Sequence, residues 1–358
     1  MMQRINKKTM GAKLTYALSG ALFLLFAACN DEEQMLSGSA DCLLRPAFEA
    51  EQASAPVSRS VINGIGSATA NGTINSIKLF LTKTDHSAYT GNESSVFSTA
   101  NGTSWTGSPE IKLSGDKVYV YAFYPTSAAV TRATGADTHT IPVSVPATAT
   151  FDGDSTWNCS TTDYLYGVKS STSEDTPTAS NRDGEFSPTV YMRHALAQVV
   201  FKLQASNPNG TYDYVKEIRL SVPAGNTTKF RAGSGTMQIK DGALSLTDTE
   251  TLTFRASVNP QICTIANTAV TVGYGLAAPL AAAPENVSLT IVLGKKGDTS
   301  NDRTLTATNT GFNIQWQKGH IYTYNLKLKD RNLTLDGAIT DWVQGDPTYT
   351  GPWDTVNK

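Results

Sequence analysis

The stretch Tyr322-Thr323-Tyr324-Asn325-Leu326-Lys327-Leu328 decides the fold class. Tyr322, Tyr324, Leu326 and Leu328 fall on one side, and Thr323, Asn325 and Lys327 on the other. A period of two belongs to a strand with one buried face. Moving outward from it, the same alternation recurs along the chain. Val287, Leu289, Ile291 and Leu293 repeat it. So do Tyr214, Ile218, Leu220 and Val222, stopped by Pro223. Ala195, Ala197, Val199, Phe201 and Leu203 share one face, with Gln198, Lys202 and Gln204 opposite. Ile77, Leu79 and Leu81 alternate with Lys78, Phe80 and Thr82. Val118 to Tyr124 is a dense β-branched and aromatic run ended by Pro125,.

Turn chemistry agrees with strands. Asp241-Gly242 separates Met237–Lys240 from Ala243–Leu246, a two-residue hairpin signal,. Other Asn-Gly and Asp-Gly pairs punctuate the chain. No window carries a long apolar stripe at 3.6 residues. The expected fold class is all-β, built from sandwiches.

The composition narrows the function. Charged residues are only 17% and the net charge is −2, so no nucleic-acid partner is expected,. The four cysteines, 29, 42, 159 and 263, have no zinc-type spacing,. A Cys159–Cys263 disulfide and scattered thiols both fit, and the fold is expected to rest on its core. The four histidines, 86, 139, 194 and 320, form no metal motif, and no nucleophile elbow or phosphate loop occurs,. His194 reads as a strand-edge histidine bonded to backbone. No catalytic residue, metal or cofactor is expected, and the protein reads as a non-enzyme.

The N-terminus reads as an export signal. Arg4, Lys7, Lys8 and Lys13 precede an apolar segment, Leu14 to Ala28, too short for a membrane-spanning helix,. It ends Leu25-Phe26-Ala27-Ala28-Cys29. Small residues before a cysteine suit a lipoprotein signal peptidase, although Phe26 stands where a leucine is usual. Residues 1–28 are therefore expected to be removed and Cys29 to carry lipid, including palmitate, in the outer membrane. Asn30-Asp31-Glu32-Glu33 reads as a surface-export signal or a solvated linker. Asp154-Ser155-Thr156 and Asp354-Thr355-Val356 resemble short O-glycosylation sites.

Several segments, taken in order, resemble the fimbrillin family of type V pilus subunits. They are Cys29 with its preceding box, Tyr121-Ala122-Phe123-Tyr124-Pro125, and His194-Ala195-Leu196-Ala197-Gln198-Val199-Val200-Phe201-Lys202-Leu203. Gly319-His320-Ile321-Tyr322-Thr323-Tyr324-Asn325-Leu326 and Ile339-Thr340-Asp341-Trp342 follow. The resemblance implies two tandem transthyretin-like β-sandwich domains after the lipoprotein signal peptide. With a polar, turn-rich boundary near Ser170–Ser187, the expected layout is a signal peptide at 1–28 and a lipidated propeptide with a removable first strand at 29–59. An N-terminal sandwich at 60–185, a C-terminal sandwich at 186–332 and a donor tail at 333–358 follow. A long surface loop within one domain is the other reading of 170–187.

The resemblance also implies a mechanism. A trypsin-like, arginine-specific protease removes the first strand, and the extended tail of another pilin subunit fills the groove, building a fimbrium for cell adhesion. Residues 42–50 are the expected removable strand. Two arginines are candidates for the cut. Arg45 precedes Pro46 and lies within the strand; Arg59 lies in a loose segment before Ser60, so cleavage at Arg59-Ser60 is expected,. Ile339, Trp342 and Trp353 are the expected tail anchors, with Trp342 alternatively plugging its own core. The competing readings are a non-polymerising surface lipoprotein that binds a host ligand or glycan, with Trp105 and Trp157 as an aromatic platform, and a tip or anchor subunit.

Overall fold

The computed structural model describes residues 42–51, 61–66, 72–152, 158–182, 184–205, 214–257, 265–295, 298–308, 314–329 and 332–341. Among them there is no helix. In chain order the strands are β1 (Cys42–Leu43), β2 (Ala47–Ala50), β3 (Ser76–Lys83), β4 (Ser94–Ser98), β5 (Thr106–Ser108), β6 (Lys112–Leu113), β7 (Val118–Tyr124), β8 (Thr140–Val145), β9 (Thr148–Phe151), β10 (Leu165–Val168), β11 (Thr178–Ala179) and β12 (Thr189–His194). They continue with β13 (Ala197–Ala205), β14 (Tyr214–Ser221), β15 (Phe230–Gln238), β16 (Leu244–Thr249), β17 (Thr251–Ala256), β18 (Val270–Ala277), β19 (Ser288–Lys295), β20 (Asp298–Thr308), β21 (His320–Lys329) and β22 (Asn332–Asp341). The all-β class read from the alternation is the observed one.

The largest sheet runs β2-β12-β10-β7-β3-β4-β5, with β11 also paired to β7. Two further sheets, β18-β13-β21-β22 and β20-β19-β14-β17-β9, carry the inward residues of the C-terminal half. A three-stranded sheet, β16-β15-β8, lies with them, and β1 pairs with β6. Leu79, Leu81, Val120 and Ala122 enter one apolar core; Phe80, Tyr121 and Phe123, their alternates on the same strands, enter the other. The alternation read at 77–82 thus separates two buried faces, one of Ile77, Leu79 and Leu81 and the other bearing Phe80 and Thr82. Phe80 and Thr82 are buried because β3 is covered on both sides, as the centre of a doubly packed sheet requires,.

Strand ownership does not change at residue 185/186. The handover falls at Ala195–Leu196, where the chain leaves the first sheet at the end of β12 and joins another as β13. Before the expected boundary, β8 and β9 already pair with β15 and β17. The polar stretch near Ser170–Ser187 supplies β11, whose Ala179 is fully buried. The described residues all fall in one compact unit, Ser39–Lys358.

Two local readings shift for identifiable reasons. In β14 the register slips between Val215 and Glu217, so Val215 joins Ile218 and Leu220 inside,. At the Asp241-Gly242 hairpin β15 ends at Gln238, because Ile239 turns into the core and donates its N–H to the His139 carbonyl. The connection is therefore longer than two residues, and Gly242 takes φ +70°, a left-handed value that glycine tolerates,.

Candidate functional site: the N-terminal edge strand

β2 lies at the edge of the largest sheet and pairs in parallel with β12, Ala47 opposite Thr189 through Ala50 opposite Met192. Its inward residue Phe48 packs on Trp105 with ring centroids 4.6 Å apart and on Phe97 at 6.1 Å. Leu44, between β1 and β2, is buried in the same core. Trp105 thus supports the edge strand, and Trp157 lies outside the described residues. The ladder is extended by Ala47 N–H to the Pro188 carbonyl at 3.0 Å and Glu51 N–H to the Met192 carbonyl at 3.0 Å.

Arg45 is exposed but fixed. Its N–H bonds the Phe186 carbonyl at 2.9 Å, and its carbonyl accepts from Ser187 Oγ at 2.5 Å. Arg59 and Ser60 lie outside the described residues. Their flanks do not. The chain is last described at Glu51 and resumes at Val61, and both ends rest on one buried polar chain. The Glu51 carboxylate accepts the His194 N–H at 3.2 Å. The His194 ring, fully buried, bonds the Asp163 carboxylate through Nδ1 at about 3.0 Å,. Asp163 accepts the Ile62 N–H at 2.9 Å. His194 therefore pairs with a carboxylate, which corrects the expected backbone partner.

Glu51 is 6% exposed. Burial raises its pKa; the His194 and Arg193 charges and the His194 N–H oppose the rise, and the Asp163 charge adds to it. Arg193 Nε stands 3.9 Å from the Glu51 carboxylate, while the Arg193 head group pairs with Glu174. Glu51, Arg193 and His194 line one wall of a cleft of about 690 Å³. Arg231, Lys318 and Gly319 also line it. No sequence signal marks Glu51. Strict alternation from Phe48 and Ala50 places its side chain on the outer face, whereas in the structure it is buried.

At the other end of the chain, β22 forms the edge of its sheet, antiparallel to β21 from Asn332 opposite Lys329 to Asp341 opposite His320. Ile339 stands opposite Tyr322. Cys29, Trp342, Trp353 and both glycosylation-like tripeptides lie outside the described residues. Among the described residues no cluster of His, Cys, Asp or Glu has the makings of a metal site, and no helix is long and apolar enough to cross a membrane.

A family model described as fimbrillin-like matches residues 66–342. No curated protein matches the chain. Among solved structures, a protein named for a proposed role in cell adhesion, from Bacteroides uniformis, is 16% identical. The match covers 84% of this chain and 99% of that one at a TM-score of 0.49. A fimbrial protein from Bacteroides vulgatus is 15% identical, with 75% and 93% covered and a TM-score of 0.47. The fimbrial anchor protein Mfa2 from Porphyromonas gingivalis is 11% identical, with 84% and 98% covered and a TM-score of 0.35.

Proposed function

Because this chain belongs to the fimbrillin-like family, we propose that it is a fimbrial subunit that polymerises by protease-triggered donor-strand exchange and supports adhesion. The lipid on Cys29 holds the precursor at the outer membrane after residues 1–28 are removed. An arginine-specific, trypsin-like protease cuts between Arg59 and Ser60. The segment bearing β1 and β2 then leaves with its lipid, and the tail of another pilin subunit takes its place, anchored by Trp342 and Trp353.

The observation that carries this reading is the position of β2. As an edge strand it touches one ladder partner, β12, so its loss breaks no pairing between other strands. It leaves behind an unpaired edge and the sites of Leu44 and Phe48. An open edge is a template for another strand, with main-chain bonds giving strength and alternate side chains giving register. A donor from another copy makes a head-to-tail contact and an open filament. Arg59 suits the cut better than Arg45, whose N–H and carbonyl are both bonded and whose next residue is Pro46.

The backbone of 332–341 is already engaged in the chain's own sheet, so the donating part of 333–358 is residues 342–358, with Ile339 remaining opposite Tyr322. Brief trypsin treatment of the purified precursor is expected to give a ladder of SDS-resistant oligomers. Arg59→Ala abolishes that ladder and Arg45→Ala leaves it. Clean loss of the N-terminal segment with no ladder sinks the polymerisation reading.

A further inference from the structure

The groove of β2 ends in a polar subsite that the fold alone does not require. Beyond the last ladder pair, Glu51 turns into the molecule rather than outward. Two donors face its carboxylate: the His194 N–H at 3.2 Å, and Arg193 Nε, which is buried and makes no hydrogen bond, at 3.9 Å. Room for the carboxylate comes from the turn before β21. A Cβ added at Gly319 would stand 3.2 Å from Glu51 Oε2, and Gly319 has φ +69°. When the strand leaves, both donors lose the Glu51 carboxylate. Unsatisfied buried donors are costly, so the site selects for a strand that brings an acceptor back.

We propose that this is a binding subsite for one side-chain carboxyl or carboxamide oxygen, placed three residues after the apolar anchor of whichever strand occupies the groove. In the uncut chain Phe48 is the anchor and Glu51 the ligand. In the fimbrium the occupant is the tail of a second copy, where Val343 and Asp346 reproduce the spacing and Trp342, on the other face of that strand, anchors it outside the Phe48 site. This second half rests on the donor-strand reading above.

The subsite makes Glu51 a positioning residue for retention of the cut strand. Nicking alone should not release the segment; it should stay until a competing strand, bearing its own acceptor, displaces it. Because the recognised group is an oxygen acceptor rather than a full charge, Gln is expected to serve nearly as well as Glu, and Ala is not.

The test uses the full chain, nicked with trypsin, with departure of the N-terminal fragment followed by gel filtration. Glu51→Ala is expected to release it about tenfold faster than wild type, the scale of one lost buried hydrogen bond. Glu51→Gln should release it within a few-fold of wild type. Glu49→Ala, at an exposed neighbour on the same strand, should match wild type. Hydrogen exchange on the uncut chains gives a reading that does not depend on the nick: the His194 amide should exchange faster in Glu51→Ala alone. If Glu51→Ala behaves as Glu49→Ala in both measurements, the subsite is overturned.

A second arm tests the occupant. Asp346→Ala should slow ladder growth several-fold with nicking unchanged; an unchanged ladder overturns Asp346 as the ligand. Absence of any ladder in wild type, with the Glu51 results intact, overturns the donor-strand reading and leaves the subsite standing.

Discussion

The two terminal edge strands are held in opposite ways. β22 has ten register pairs with β21, a long antiparallel ladder. β2 has four, in parallel, and is fixed chiefly by what its side chains reach: Phe48 in the core, Leu44 beside it and Glu51 in the cleft. A long ladder resists release because its bonds must break together. A short strand with a few deep anchors can be exchanged for any strand that supplies similar anchors. Under the proposed donor-strand exchange, the difference divides the terminal roles: the N-terminal strand is the one exchanged, and the C-terminal one stays in its ladder.

The sharpest way to break this contrast is Phe48→Ala. Truncating a buried phenylalanine costs about 3 kcal/mol or more. If β2 is held by its anchors, the nicked Phe48→Ala chain should lose its N-terminal fragment hundreds of times faster, while the thermal unfolding of the remainder barely changes. A large drop in the unfolding temperature of the remainder would show that β2 is part of the global fold instead.

The next test acts on β21, the strand that holds the other edge. Trp316 Nε1–H donates to Tyr324 Oη at 2.9 Å, both side chains are buried, and Trp316 stacks on Phe230 with centroids 5.9 Å apart. Tyr324→Phe leaves a buried indole N–H without its acceptor, at a cost of about 1–3 kcal/mol. Here the expected result is the mirror image: a lower unfolding temperature for the whole protein and an unaltered fragment release rate. Calorimetry and gel filtration on the same sample read both quantities.

Much of this contrast is legible in the sequence. Tyr322, Tyr324 and Leu326 alternate without a break and point into the core as read. Residues 42–50, read as one strand with Arg45 inside it, instead form β1 and β2 with Arg45 between them, because Pro46 cannot donate to a ladder,. What alternation cannot carry is pairing between distant strands. β12 and β13 follow each other with only Ala195–Leu196 between them, and nothing in the sequence announces that this pair crosses between sheets. The polar chain Glu51–His194–Asp163–Ile62 is illegible for the same reason. Its members are local strangers, with Asp163 separated from Ile62 by 101 positions, and only the folded topology brings them together.

Gly319→Ala sharpens the contrast at smaller scale. The left-handed φ of +69° and the 3.2 Å approach to Glu51 Oε2 both penalise a Cβ. An expected cost of about 1 kcal/mol for alanine at a positive φ should show mainly as faster loss of the nicked fragment, because the added atom presses on Glu51. Gly319→Ala combined with Glu51→Ala should be less than additive, since the partner it crowds is gone.

The smallest effect is the pH dependence of retention. Burial raises the Glu51 pKa above its ordinary 4.5, whereas in a released fragment it returns to that ordinary value. Protonation is then favoured in the bound strand, so the part of Glu51's hold that depends on protonation is full below about pH 4.5 and is lost as pH rises through the raised value,. The charges that face it are Arg193 and His194 on β12 and Asp163 before β10, with Tyr166, Tyr191 and Lys318 nearby. These other groups stay with the body when the strand leaves, and a Glu51→Gln chain keeps all of them. The difference in release rate between wild type and Glu51→Gln should therefore isolate this one carboxyl. Wild type should hold its fragment more tightly near pH 5 than near pH 8, with the slope flattened by Gln. Equal slopes in the two chains would place the titrating group elsewhere and leave Glu51 a hydrogen-bond acceptor without a role in pH response.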